Sequence, residues 1–596
     1  MIGDIKRFFQ PRILFYVAAI FAAIVFTLFA HWEMTHESWQ YWFFARILRE
    51  TGRFVILDRS PLYILYLQLF RWMGYPNMVT VEYVVTAVIT SLVLVFFLRK
   101  YLTIPVAVFG VILWIPYMQI SEPSVQKLAV AACLAGVMFR QKNQARRNIA
   151  FSYLFFIAAY LLRSSYGGVL AIYAVYDLLK FLKIGHMRRI RIIWKDDWPV
   201  IAGILFYFLV IILQSPHRWN NVWGATTAWF PSGGKSFNIL QNYNASYIME
   251  RYGSYQDHDF YESNKEVFGG AKDTASAIRA NPEFFRRIAW EYTKVGTPIF
   301  TRLTKLPILF GISNTDVAAH TLLLGGIFFG AFMATQKTLT TLYVAGVAGM
   351  VGLTFLFLPN NRYFVAVIPA LLLSASWYAG IVNRTVLVFF QKIRVVILQR
   401  YTQKIIPIVY LGFVLLFSLG STSSDFSGVY QATWPNLIRT ITEDWEAGAL
   451  RVMEFRDTSV YFPPAKSAYK SISALFQKCL GIMTLEYTFL GAFTDIPVEK
   501  IYDIWEIPPF GNFDEFKPVD QSTPHLWGGE QPRHYYGLRP DRINCLFISK
   551  NLKYGVGAAT NSALRYHGYI KPYSDYLIGM GAIVQPIEGY GEAITL

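Results

Sequence analysis

Charge is scarce in this chain. Only 16% of its 596 residues are Asp, Glu, Lys or Arg, while 54% are hydrophobic. Soluble domains usually carry about 25% charged residues, so a soluble globular protein of this length is excluded. Cysteine is scarcer still, with three in the whole chain. There is no CxxC pair and no His cluster at zinc-ligand spacing, which excludes the common structural zinc sites and dithiol redox motifs. No Gly-rich phosphate loop follows a strand, so nothing points to a soluble nucleotide-binding half. Internal repeats and low-complexity tracts are missing too. Cys133 lies in an apolar run. Cys479 and Cys545 lie in a polar C-terminal region. They either pair, if that region is outside the cytoplasm, or remain two buried thiols.

What is present in quantity is long apolar segments. They fall at 13–31, 81–99, 103–120, 125–139, 148–162, 167–183, 198–214, 317–335, 338–358, 363–382 and 405–421. Segments of this length and composition predict about eleven transmembrane helices. The first is read as an uncleaved span, because no small-x-small cleavage site follows it. The net charge of +17 would fit a nucleic-acid partner if it were concentrated on one domain. Instead the Lys and Arg sit in short connections between apolar runs, the pattern of the positive-inside rule, and nucleic acid is excluded as a partner. Lys6, Arg7 and Arg12 put the N-terminus in the cytoplasm. Arg99 and Lys100, Arg140 to Arg147, Lys183 to Lys195, Lys337 and Arg384 to Lys404 then share that side.

The opposite side receives the loop 31–80, the turn Ser121-Glu122-Pro123, the turn Arg163-Ser164-Ser165-Tyr166, the loop 215–316, Pro359-Asn360-Asn361-Arg362, and everything after 421. Within 215–316, Asn281-Pro282-Glu283 starts a helix whose apolar face is Phe284, Phe285, Ile288, Ala289 and Tyr292. That face meets either the bilayer surface or the protein itself. Residues 1–421 are therefore expected to form the membrane bundle. Residues 422–596 are expected to form an extracytoplasmic α/β domain, with strands in INCLFISK and YLIGMGAIVQPI and short helices in ALRVMEFR and SISALFQKCL.

The loop His31–Gly74 concentrates the candidate chemistry. It is aromatic, it carries Glu33, Glu37, Glu50 and Asp58, and it is expected to lie along the bilayer surface. Glu33 and Glu37 are four apart, so both occupy one face if the first helix continues past the membrane. His36 is adjacent. Two such carboxylates could divide general-base work from cation or phosphate-region contacts, or simply solvate a helix end. Asp58-Arg59-Ser60-Pro61 forms a turn, since the proline disfavours helix at Ser60, and a helix follows.

The order is first span, carboxylate, aromatic helix ending in Ala45-Arg46, Thr51-Gly52, and then Ser60-Pro61-Leu62-Tyr63. It resembles the first outer loop of the GT-C superfamily of integral-membrane glycosyltransferases, near protein O-mannosyltransferases and lipid A aminoarabinose transferases. The resemblance covers the layout of about residues 1–385. It implies a polyprenyl-phosphate sugar donor and inversion at the anomeric carbon. The acceptor would be an extracytoplasmic glycan, lipid or protein, and the setting a bacterial inner membrane with the C-terminal domain periplasmic. By register Glu37 falls on the catalytic Asp and Ser38 on the acid that follows it, so Glu33 remains a second candidate base. Asp58, Arg59, Tyr63 and His36 take supporting positions. Arg163 and Arg362 match outer-face arginines able to hold a lipid phosphate, helped by Lys235 or Lys305. Glu122 matches a second acidic position that, with Glu33, would hold a divalent cation such as Mg or Mn.

Two other classes compete. A transporter or flippase of lipid-linked sugars would show charges within the membrane and paired halves, whereas here the charges sit at span ends. A glycan ligase or polymerase of similar layout would move a whole oligosaccharide. The Trp-Trp-Asp signature of asparagine-directed oligosaccharyltransferases is missing.

Overall fold

The computed structural model describes residues 11–29, 36–51, 60–73, 77–120, 124–142, 146–181, 198–213, 243, 246–248, 250–251, 260–271, 274–302, 306–313, 315–336, 338–355, 364–392, 472–484, 490–491, 494–503, 544–549, 571–587 and 591–596. Most of these residues are helical. In chain order the helices are α1 (Pro11–Phe29), α2 (His36–Thr51), α3 (Pro61–Gln68), α4 (Asn77–Leu98), α5 (Ile104–Ile120), α6 (Val125–Lys142), α7 (Arg146–Leu162), α8 (Gly167–Phe181), α9 (Trp198–Leu213), α10 (Phe260–Phe268), α11 (Thr274–Ala280), α12 (Pro282–Arg302), α13 (Val317–Thr335), α14 (Thr340–Thr354), α15 (Phe364–Lys392) and α16 (Lys571–Gly579). The strands are β1 (Ile482–Thr484), β2 (Ile501–Asp503), β3 (Cys545–Ser549), β4 (Ile583–Ile587) and β5 (Gly591–Thr595).

The apolar segments from 13–31 to 363–382 fall on α1, α4–α9 and α13–α15. The segment 405–421 lies outside the described residues. Three helices among the described residues are both long and apolar enough to cross a membrane, at Met78–Leu98, Val317–Thr335 and Val365–Val382. Exposed side chains on the helices include Leu178 and Leu179 of α8, Leu205 and Phe206 of α9, and Leu322 and Phe329 of α13. Apolar residues on the outside of helices that are also apolar within suit lipid rather than water.

The chain divides into two compact units. One comprises Met1–His31, Thr80–Tyr207 and Trp290–Val452, the other Trp32–Val79, Phe208–Ala289 and Met453–Leu596. In the first unit α6 packs along α7, α13 along α15, and α14 along α8. Gly136 permits the first of these contacts, since a Cβ there would overlap the Phe156 ring. Small residues at such crossings let helix backbones approach closely. Phe156 in turn stacks on Tyr173 at 4.5 Å.

This bundle has two polar ends. At one, Arg99 donates to Tyr16 Oη (2.9 Å), Lys100 to the Met138 carbonyl (3.3 Å), and Tyr101 to Thr340 Oγ1 (2.5 Å). Arg140 pairs with Asp177, which also accepts from Tyr153 Oη at 2.7 Å. At the other end the starts of α4, α6 and α8 meet the end of α7. This up-and-down order is what the alternating basic connections predict.

The second unit holds a five-stranded sheet of order β2-β1-β3-β5-β4. β1 pairs in parallel with β2 and β3, while β5 pairs antiparallel with β3 and β4. Ile482, Met483, Leu546, Phe547 and Ile594 build its core. Cys479 and Cys545 form a disulfide, which ties the segment before β1 to the first residue of β3. The predicted strand in INCLFISK is β3. Only the second half of YLIGMGAIVQPI is a strand, because its first half completes α16 and the chain turns at Gly581 with φ of 96°. SISALFQKCL contributes buried Ile472 and Phe476, while ALRVMEFR lies outside the described residues.

The open choice for α12 resolves toward the protein. Phe285 stacks on Tyr243 at 3.9 Å, and Phe284 meets Tyr247 and Phe268, each at 5.7 Å. Its other face carries Arg287, which forks onto Glu250 with one bond of 2.8 Å. That hydrogen bond holds the Glu250 carboxyl below its usual range.

Candidate functional site

The helix that carries Glu37 was expected to lie along a bilayer surface, and its described side chains pack mostly within the protein. Every residue from Tyr41 to Leu48 is buried. The reason is the run Tyr-Trp-Phe-Phe-Ala, which leaves no polar face for solvent, so α2 behaves as an interior helix. Its one charge in that run, Arg46, is only 6% exposed. The guanidinium donates to the carbonyls of Gly491 (3.0 Å), Thr494 (2.5 Å) and Ile496 (2.6 Å), and its Nε reaches Glu50 at 2.5 Å. Glu50 also accepts from the Val498 amide at 3.3 Å. A planar cation with five donors suits this fork of carbonyls, and a buried charge needs such partners. Gly491 is required beneath it, because a Cβ there would overlap the Phe43 ring. The connection between β1 and β2 is therefore clamped to α2.

α3 completes the loop. Ser60 caps it by accepting from the Tyr63 amide (3.1 Å), and Pro61 occupies the first turn, as the predicted turn requires. Tyr63 is buried, with its ring 4.8 Å from Tyr41. Arg71 donates to the Trp42 carbonyl at 2.9 Å. Burial, then Arg46, pulls its pKa down to about 9 against the opposing pull of Glu50.

Glu37 and His36 are the first residues of α2. Their side chains, together with Glu33, Asp58, Arg59, Glu122, Lys235, Lys305 and Arg362, lie outside the described residues. So does the face that Glu33 and Glu37 would share.

Arg163 is described, and it sits at the second polar end of the bundle. It ends α7 in an extended conformation and starts the tight turn Ser164–Tyr166 that leads into α8. With the Gln126 amide oriented to satisfy both partners, its oxygen accepts from Arg163 Nε at 2.8 Å and Nη2 at 3.1 Å. Lys127, next to Gln126 in the first turn of α6, is fully buried and lies 5.1 Å from the centre of the Tyr83 ring. Glu82, beside Tyr83, is fully buried and accepts from Thr86 at 2.8 Å. Ser124, Ser165 and Tyr166 bring further buried hydroxyls without hydrogen-bond partners among the described residues. The cations Arg163 and Lys127 share this end with the Glu82 carboxylate, the N-terminus of α6 and these hydroxyls.

Arg46, Lys127 and Glu82 were not singled out from sequence. The last two lie close to span ends, where charges were expected, but are fully buried there. Each was visible as a charge inside or beside an apolar run, which in membrane segments is a sign of function. Among the described residues no three His, Cys, Asp or Glu side chains gather to hold a metal. The Glu33 and Glu122 pair lies outside them, and no step below uses a cation.

Comparison with known protein families, curated proteins and solved structures finds no match to this chain.

Proposed function

We propose that the chain is an integral-membrane inverting glycosyltransferase of about eleven spans. It moves a sugar from a polyprenyl phosphate to a glycan, lipid or protein acceptor on the outer face of a bacterial inner membrane. Glu37 takes the proton of the acceptor hydroxyl, the oxygen attacks the anomeric carbon, and the lipid phosphate leaves with the bonding electrons. Arg163, with Lys127 and in company with Arg362, Lys235 and Lys305, holds the phosphate's growing charge. The observation that carries this reading is the Arg163–Gln126–Lys127 grouping at the start of α6. The layout of the first outer loop supports it.

The test uses purified full-length protein and a panel of polyprenyl-phosphate sugars, with transfer read by mass spectrometry. Glu37→Gln is expected to abolish transfer while retaining donor binding, and Arg163→Ala to weaken donor binding about tenfold or more, the worth of one charged hydrogen bond. Normal turnover by Glu37→Gln would sink the assignment. A flippase is the second reading, and the burial of Glu82 and Lys127 favours it. In that case the protein would move labelled donor lipid across vesicles, fail to transfer sugar with any acceptor, and lose movement on Glu82→Gln.

A further inference from the structure

Although α2 is buried, the far end of its loop is not. Among the described residues of the loop, Leu69 and Trp72 are the large apolar side chains left exposed, at 64% and 73%. Trp72 is held in place, since its indole Nε1 donates to the Leu69 carbonyl at 2.9 Å. Beside them a cleft of about 420 Å³ is lined by Leu48, Arg49, Gln68 and Trp72. Gln68 donates its amide N–H groups to the Ala45 and Ile64 carbonyls. Arg49 makes no hydrogen bond or ion pair among the described residues. Among the described residues, Arg46, Arg49 and Glu50 lie within electrostatic reach of Arg71, whose Nε has no acceptor there. Cations outnumber acids in this described group.

Chain connectivity says where this knuckle lies. Helix α4, which contains the most apolar of the candidate spans, begins at Asn77. Five residues of extended chain reach at most ~18 Å, so Trp72 lies no farther than that from the start of α4. An indole beside an aliphatic side chain, flanked by guanidiniums, is the chemistry of a lipid interface.

We propose that the Arg49–Trp72 cleft binds the phosphate headgroup of an anionic membrane lipid. Leu69 and Trp72 insert at the boundary between headgroups and acyl chains, and Arg49 contacts the phosphate. This stands whether the chain transfers sugars or moves them.

The test places a nitroxide on Leu69→Cys or Trp72→Cys in full-length protein, in vesicles of phosphatidylcholine with phosphatidylglycerol. Cys133 is buried and the other two cysteines are paired, so the introduced thiol takes the label. Both positions are expected to collide freely with oxygen and to be shielded from a water-soluble nickel chelate. Arg49→Gln, in the unlabelled protein, is expected to lower phosphatidylglycerol retained after detergent exchange at least threefold. Nickel-accessible labels at both positions, or unchanged retention, overturn the proposal. Immobilisation of the label by a soluble hexose phosphate in lipid-free detergent also overturns it and assigns the cleft to a sugar.

Discussion

Arg46 shows how one residue can be conspicuous in a sequence and still hide its purpose. A cation between Ala45 and Ile47 stands out, but its acceptors are backbone carbonyls some 445 residues further on. No local pattern announces such partners, because a carbonyl has no residue type. Removing the guanidinium leaves three carbonyls without their donor and the part-exposed Glu50 without its ion-pair partner. Arg46→Ala is expected to destabilise by about 3–5 kcal/mol, the usual cost of breaking a buried charge network. Thermal unfolding of the purified protein checks this. Arg46→Lys keeps the charge but not the fork, so less than half of the loss is expected to return. A wild-type melting temperature for Arg46→Ala would show that the clamp contributes nothing. Glu82 and Lys127 pose the same difficulty. Each lies close to a helix start, where a charge ordinarily reaches water, and only tertiary packing buries them.

At the scale of elements, helices were legible and the sheet only partly so. Apolar runs of membrane length set α13 to the residue and α4 to within four, because nothing but helix satisfies a long apolar backbone. Ser60-Pro61 placed the start of α3 by the same local logic. Short strands carry a weaker signal, and Tyr576-Leu577-Ile578 reads as strand by β-propensity yet completes a helix. The pairing of Cys479 with Cys545 was one of two open readings, since sequence gives spacing but not proximity. The bond closes a separation of 66 residues, for which chain entropy gives about 4 kcal/mol. Cys479→Ser with Cys545→Ser is expected to lower the unfolding free energy by about that amount, read as a lower unfolding temperature. Peptide mapping without reductant is expected to recover the linked peptide from protein made with its C-terminal domain in an oxidising compartment, and two free thiols from protein denied it.

For the whole molecule, the alternation of basic and polar connections foretold a bundle with two unlike ends, and the Arg140–Asp177 and Arg163–Gln126 groups stand at those two ends. The proposed orientation follows from the positive-inside rule. In spheroplasts, Thr315→Cys is expected to react with a membrane-impermeant maleimide, and Lys100→Cys only after permeabilisation. The reverse pattern would invert the protein in the membrane. What sequence could not show is how far apart in the chain one compact unit draws its parts. The clamp on α2 has a consequence in time. At ordinary rates of synthesis its carbonyl partners appear roughly 20 to 90 s after Arg46 itself. Through that interval Tyr41–Leu48, apolar but for Arg46, is complete and without the surface that will cover it, so this stretch is exposed to chaperones and proteases in a nascent chain.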